Sequence, residues 1–216
     1  DGQGYDITGK ETKAGQTYEY HLNWDLSKYA HIVATDDMIN KGFFFIDPID
    51  TNAIELGDLS KATVTDSRGN VVPNMTIKAF HSISELPQYM QKEIRDNHLE
   101  SQLGSTFLVA LANNPKEFYK NYVQTGQSLR VNFPYRVKPG FVGTYKNTAW
   151  QFGFGHATPT NTVTNFVRPV PKATPQPTSS PVPAQQQAPR LPQTGNDQSI
   201  VPVIFGLSMF ITAAGY

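Results

Sequence analysis

The sequence predicts a mainly β protein: a β-sandwich with two short inserted helices, followed by a disordered Pro-rich stalk and a truncated transmembrane helix. Three observations carry this. Short alternating apolar runs recur between turn signals over residues 1–171. After Val170 the composition shifts abruptly to Pro, Gln, Ser and Thr. The last residues, 199–216, are apolar and carry no charge. The boundaries that follow are a sandwich at 1–171, a linker at 172–190, a short motif at 191–195 and an apolar segment at 199–216.

In chain order, "TYEYHLNW" puts Tyr18, Tyr20, Leu22 and Trp24 on one face of a strand, since strand side chains alternate with period two. "ATVTDSRGNVV" predicts a hairpin turning at Asp66 to Asn70 between Val64 and Val71. "MTIKAF" continues the alternation; "STFLVALA", "SLRVNF", "NTAWQFGF" and "NTVTNFVRPV" repeat it, for six to nine strands in all. Two stretches keep helical spacing instead. In "SISELPQYMQKEIRDNHL" Ser84 reads as an N-cap, and Leu86, Met90 and Ile94 line one stripe. In "NNPKEFYKNYVQTG" Asn114 is the cap, Pro115 takes the first helical position and Gly126 is the stop. Residues 172–190 hold almost nothing to bury, so they cannot offset the entropy of folding and read as an extended stalk.

Composition narrows the function. Eighteen basic residues balance eighteen acidic ones and are interspersed with them. That gives no footprint for nucleic acid and no polybasic membrane patch. The absence of cysteine excludes disulfides and thiolate zinc sites, and fits either a cytosolic protein or a surface protein from a lineage that avoids disulfides. No signal peptide opens the chain, so it reads as a fragment whose export signal lies upstream. An enzyme is not expected. The histidines (His21, His31, His81, His98, His156) show no zinc-protease spacing, and Ser128 in "TGQSLR" is no nucleophile elbow. "FGFGHA" lacks the third glycine of a dinucleotide loop, and His156 reads as a loop or strand-end residue. The carboxylates Asp36, Asp37, Asp47, Asp50 and Asp58 read mostly as a solvated loop. They leave open a structural calcium site, without the spacing of an EF-hand, and no cofactor is otherwise expected.

The tail is more specific. Alone, the apolar run fits an ordinary tail anchor or buried helix as well as it fits anything more specific; it is about the length at which a helix begins to span a ~30 Å hydrocarbon core. Preceded by a Pro-rich spacer and "LPQTG", it resembles the cell-wall sorting signal of Gram-positive surface proteins. That resemblance implies recognition of Leu191, Pro192, Gln193, Thr194 and Gly195 by sortase, a membrane transpeptidase. Cleavage between Thr194 and Gly195 then passes the Thr194 carbonyl to the amine of a peptidoglycan precursor. Pro192 suits the task because it keeps the backbone non-helical. Contact with the membrane would be transient. The Lys/Arg tail that ends such signals is absent from these residues.

Over residues 5 to 170 a second resemblance appears. "AGQTYEYHLNWDLSKY", "KGFFFIDPID", "NPKEFYKNYVQTGQSL" and "GTYKNTAWQFGFG" resemble the C-terminal domains of the streptococcal antigen I/II family of wall-anchored adhesins. The resemblance implies an immunoglobulin-like sandwich with extra strands and helices, secreted and held on the wall. Its implied partners are host salivary or mucosal glycoproteins, matrix proteins and other microbial surfaces. A structural role, as a stalk lifting an upstream adhesive head, is the alternative. The family further implies an intramolecular isopeptide bond between a lysine on the first strand and an asparagine on a late one, with an aspartate beside them. The motifs carry the last two to Asp47 and Asn147, expected close together and buried. By residue type alone, Asp47 starts a "DPID" turn and Asn147 sits in a hairpin. The family's spacing puts the lysine upstream of Asp1, and Lys10 and Lys13 read as turn residues; no bond is therefore expected in this chain unless one of them substitutes.

Overall fold

The computed structural model describes residues 7–172. By compactness the chain divides into residues 1–171 and 172–216. Among the described residues there are eleven strands: β1 (Thr17–Asp25), β2 (Phe43–Pro48), β3 (Ile54–Leu56), β4 (Thr63–Thr65), β5 (Met75–Phe80), β6 (Phe107–Ala112), β7 (Ser128–Val137), β8 (Gly143–Asn147), β9 (Trp150–Gly153), β10 (His156–Pro159) and β11 (Val163–Val167). Three short α-helices interrupt them: α1 (Asp36–Asn40), α2 (Gln88–Asp96) and α3 (Pro115–Phe118). The strands form a β1-β7-β3 sheet with β4 also on β7, a second sheet in the order β10-β9-β2-β6-β5, and a separate β11-β8 pair. All of the pairings are antiparallel.

The mainly β, sandwich-like fold is as the sequence predicts; the elements differ in detail. On β1, Tyr20, Leu22 and Trp24 are buried on one face, as alternation requires, with Tyr18 half-buried at the end of the row. The "FFFID" run of β2 is buried throughout because its sheet is covered on both sides. Phe43 and Phe45 face the core between the sheets, while Phe44 and Ile46 face a second core. A strand buried on both faces loses its polar alternation. In the first core Trp24 meets Phe45 at 5.7 Å between ring centroids; in the second Phe44 stacks on Phe152 at 4.4 Å.

That second core is roofed by α2, whose Met90 and Ile94 are buried there together with Leu86 just before the helix. The helix begins later than predicted: Ser84 lies inside a 3-10 turn (Ile83–Glu85) capped by Ser82, and Pro87 precedes the first residue of α2. The cause is Pro87. Proline biases the residue before it to extended backbone, and Leu86 is extended at φ −79°, ψ 157°. The α3 prediction fares better. Asn114 accepts from the Glu117 backbone N–H with Pro115 at the first position, and a π-helical turn (Tyr119–Val123) continues it. Gly126, at φ +66°, then closes it by donating its N–H to the Val123 carbonyl.

Where the sequence predicts a solvated loop, α1 forms; Thr35 caps it, and Asp36 and Asp37 form its first turn. The predicted hairpin has its turn, with Asp66 Oδ1 accepting from the Arg68 and Asn70 N–H groups. Its return arm is a single Thr65–Val71 bridge rather than a strand. Pro73 follows and has no N–H to continue a ladder, and β5 joins the other sheet. "NTAWQFGF" is likewise divided: β8 ends at Asn147 and pairs with β11, whereas β9 starts at Trp150 and pairs with β2. Asn147 therefore ends one strand; it does not share the strand of Trp150.

Candidate buried acid–amide site

The division between β8 and β9 places the site. Ile46 pairs with Trp150, the first residue of β9, so the next residue of β2, Asp47, has no strand neighbour on that side. Residues 147–149 cross there from one sheet to the other. Parity puts Asp47 with Phe43 and Phe45 on the inter-sheet side of β2. Asn147 Nδ2 donates to Asp47 Oδ2 at 3.2 Å. Asp47 is fully buried and Asn147 is 5% exposed. Asp47 Oδ1 has no hydrogen-bond partner among the described residues.

Burial lifts the Asp47 carboxyl to about 8, against a smaller lowering by the Asn147 hydrogen bond. Asp47 is therefore largely a neutral acid at pH 7. Tyr20, which feels the Asp47 charge, belongs to a buried tyrosine cluster. Tyr20 stacks on Tyr135 at 4.1 Å, Tyr135 Oη lies 3.3 Å from Tyr145 Oη, and Thr12 Oγ1 lies 3.0 Å from the same Tyr145 oxygen. Burial raises all three tyrosines, and for Tyr20 the next largest contribution is the charge of Asp47. Burial thus opposes ionising Asp47, and only the Asn147 hydrogen bond favours it.

Chemically, a neutral acid touching a carboxamide supplies two of the three parts of an amide-forming reaction. The acid can protonate the departing carboxamide nitrogen. The third part would be an amine. Lys10 and Lys13 are both exposed, each in a backbone turn, and the sequence has no lysine before Lys10.

The other candidates are dispersed. Asp36 pairs with Lys116 at 2.8 Å, Asp50 caps the Asn52 N–H, and Asp58 caps a 3-10 turn (Leu59–Lys61). Among the described residues no three His, Asp or Glu side chains converge as metal ligands. His21 Nδ1 lies 2.7 Å from Asn132 Oδ1, and His156 opens β10 exposed. Leu191, Pro192, Gln193, Thr194, Gly195 and the segments at 172–190 and 199–216 lie outside the described residues, apart from Lys172. Among the described residues no helix is long and apolar enough to cross a membrane.

Sequence reasoning missed Thr12, Tyr135 and Tyr145. Alternation could place Tyr135 and Tyr145 on strand faces but could not bring them and Thr12 together in one hydroxyl cluster. It also missed Glu93, which lies three residues after Met90 on the buried face of α2 and is itself buried. An acid on such a stripe is a readable signal.

The fold is a mainly β, immunoglobulin-like sandwich with inserted helices and a buried acid–amide pair where the chain crosses between sheets. Residues 1–167 match the family model for the cell surface antigen I/II C2 terminal domain, and the chain belongs to that family. The aggregation substance of Enterococcus faecalis (strain ATCC 700802 / V583) is 28% identical over 176 residues, covering 81% of this chain and 11% of that protein. The C-terminal domain of the Streptococcus agalactiae AgI/II polypeptide BspA aligns at 26% identity and TM-score 0.58, covering 78% of this chain and 47% of that one. The C-terminal domain of the Streptococcus pyogenes antigen I/II-family protein AspA shares the fold at TM-score 0.68 and 24% identity, over 79% of this chain and 51% of that one. The chain thus spans about a tenth of the curated relative and about half of these solved chains.

Proposed function

We propose that this chain is the wall-proximal end of a secreted Gram-positive adhesin. Sortase joins the Thr194 carbonyl to a peptidoglycan precursor, and the sandwich contributes to adherence to host glycoproteins, matrix proteins or other microbes. The observation that carries the reading is the family match over residues 1–167, followed in the same chain by "LPQTG". The family is an adhesin family and not an enzyme family, so the domain binds without turnover. The test is Thr194→Ala in the full-length protein on the cell. The variant is expected in the membrane or medium instead of bound covalently to the wall, with adherence lost alongside. Mass spectrometry finding the variant still joined to peptidoglycan would refute the anchoring.

The stalk role has its own support in the Asp47–Asn147 pair. A lysine amine reaching this pair would attack the Asn147 Cγ carbon. The Cγ–Nδ2 bond breaks, the new amide forms, and ammonia leaves carrying a proton relayed through Asp47. The unpartnered Asp47 Oδ1 is where the new amide N–H would be accepted. Such a cross-link restricts the unfolded chain as a disulfide does, by about 2–4 kcal/mol, and carries tension covalently.

A further inference from the structure

Away from the acid–amide pair, α1, α2 and the β9–β10 turn enclose a cleft of about 280 Å³, lined by Asp37, Asn40, Lys41, Tyr89, Glu93, Asp96 and their neighbours. Its floor holds an anomaly. Glu93 is only 6% exposed, yet its Oε2 has no hydrogen-bond partner among the described residues. A buried polar atom without a partner costs about 1–3 kcal/mol. A group kept at that cost is one that an incoming ligand can satisfy.

The walls are built rather than incidental. Tyr89 is 41% exposed but fixed: Phe44 meets it edge-on at 6.5 Å, and a Cβ on Gly42 would approach its ring to 3.3 Å. Gly42, at φ +86°, therefore serves the turn and lets the ring lie close. On the opposite side the Lys41 side chain lies along Gly155, where a Cβ would come within 3.0 Å of Lys41 Cδ. Asn97 ties α2 to that turn by donating to the Gly155 carbonyl at 3.0 Å and accepting from the Ala157 N–H at 3.0 Å.

Charge selects the occupant. Lys92 pairs with Asp96, and Lys41 acts on Glu93. The two lysines balance Asp37 and Asp96, so a strongly charged ligand gains little and a cation meets Lys41. A neutral polyhydroxyl ligand gains more: an aromatic face, an amide, carboxylate acceptors and an unpartnered acid within one pocket.

We infer that the cleft between α1 and α2 is a binding site for one neutral monosaccharide unit of a surface glycan, stacked on Tyr89 and hydrogen-bonded by Glu93, Asn40 and Asp37. The inference deepens the adhesion reading and rests on it only for its biological use. Burial holds the Glu93 carboxyl up at about 7, so its protonated form can donate to a sugar oxygen. The groups around it are Asp37 from α1, Lys41 just after that helix, Tyr89, Lys92 and Asp96 from α2, and the Gly155 backbone from the turn.

The test is an NMR titration of the 216-residue chain with methyl galactoside, methyl mannoside, N-acetylglucosamine and N-acetylgalactosamine, with N-acetyl-lysine amide as the cationic control. Shifts confined to the cleft residues are expected with at least one sugar. Tyr89→Ala and Glu93→Leu, each checked for an unchanged fold by circular dichroism, should weaken that binding by about tenfold or more. Glu93→Gln should retain it within about threefold and remove the decline with pH through 7 expected of the parent chain. No sugar shifts, shifts outside the cleft, lysine amide taking the cleft instead, or Tyr89→Ala binding as the parent does would overturn the site. A parallel assay on saliva-coated surfaces separates the two readings. Adherence by the parent chain without sugar shifts in the cleft overturns the site and keeps the adhesion reading; sugar binding in the cleft without adherence does the reverse.

Discussion

A carboxyl sealed between two sheets, with one oxygen on Asn147 and the other without a partner among the described residues, makes Asp47 a pH-dependent liability. Its pKa rises from 3.8 in a solvated chain to about 8 on folding. The folded state therefore holds a proton that the unfolded state has lost. Stability from this residue is fully present below about pH 4, falls as pH rises, and levels off above about 8. The slope is about 1.4 kcal/mol per pH unit, several kcal/mol across the window. Glu93 adds a similar fall that ends near 7. Between pH 7 and 8 the slope thus belongs to Asp47 among these two. Urea unfolding of Asp47→Asn is expected to flatten that interval, and an unchanged slope would contradict the burial argument. Asn147→Ala should cost about 1–3 kcal/mol by leaving both Asp47 oxygens without a partner.

At the scale of elements, the outer face of the β10-β9-β2-β6-β5 sheet depends on one helix. Ile94 is fully buried beneath α2, and its stripe supplies much of the second core. Ile94→Ala removes those contacts and leaves a cavity, for an expected loss of about 2–5 kcal/mol by denaturant unfolding. The cap of α3 is a smaller lever. Asn114→Ala should cost about 1 kcal/mol, since only one N–H loses its side-chain partner. If the two losses came out equal, the assignment of α2 as a load on the core would be wrong. The same elements show what sequence could supply. The 3.6-residue spacing of Leu86, Met90 and Ile94 identified α2, and Asn114, Pro115 and Gly126 bounded the α3 turn. The start of α2 was missed because Ser84 looks like a cap; the extended backbone that Pro87 imposes on Leu86 overrides it. Helix α1 was missed because five residues give no period to read.

For the molecule as a whole, one sheet serves two cores. Strand β2 contributes Phe43 and Phe45 to one and Phe44 and Ile46 to the other, so neither core can open without exposing the second. The chain's two tryptophans divide between them: Trp24 is fully buried in the inter-sheet core, and Trp150 packs against the helix-covered one. Trp24→Phe and Trp150→Phe each leave a single reporter. In each variant, the fluorescence of the remaining tryptophan is expected to change together with the far-ultraviolet circular dichroism on urea unfolding. A helix-side signal that unfolds before the sheet signal would show that the cores are independent.

By itself the sequence determined the β-rich class, the main strands and both principal helical stretches, because alternation, helical spacing and Pro/Gly punctuation are local properties of the chain. It also singled out Asp47 and Asn147, through resemblance rather than residue chemistry; by type alone both read as turn residues. Tertiary structure decided what no local pattern carries. The chain switches sheets between Asn147 and Trp150, and that crossing brings Asn147 against a carboxyl 100 residues away in sequence. Pairing partners, and the two-sided burial that erased the alternation of β2, depend on which strands meet. The buried environments of Asp47 and Glu93 are likewise properties of assembled neighbours: a side chain's cost of ionisation is set by the groups that fold around it, not by its place in the chain.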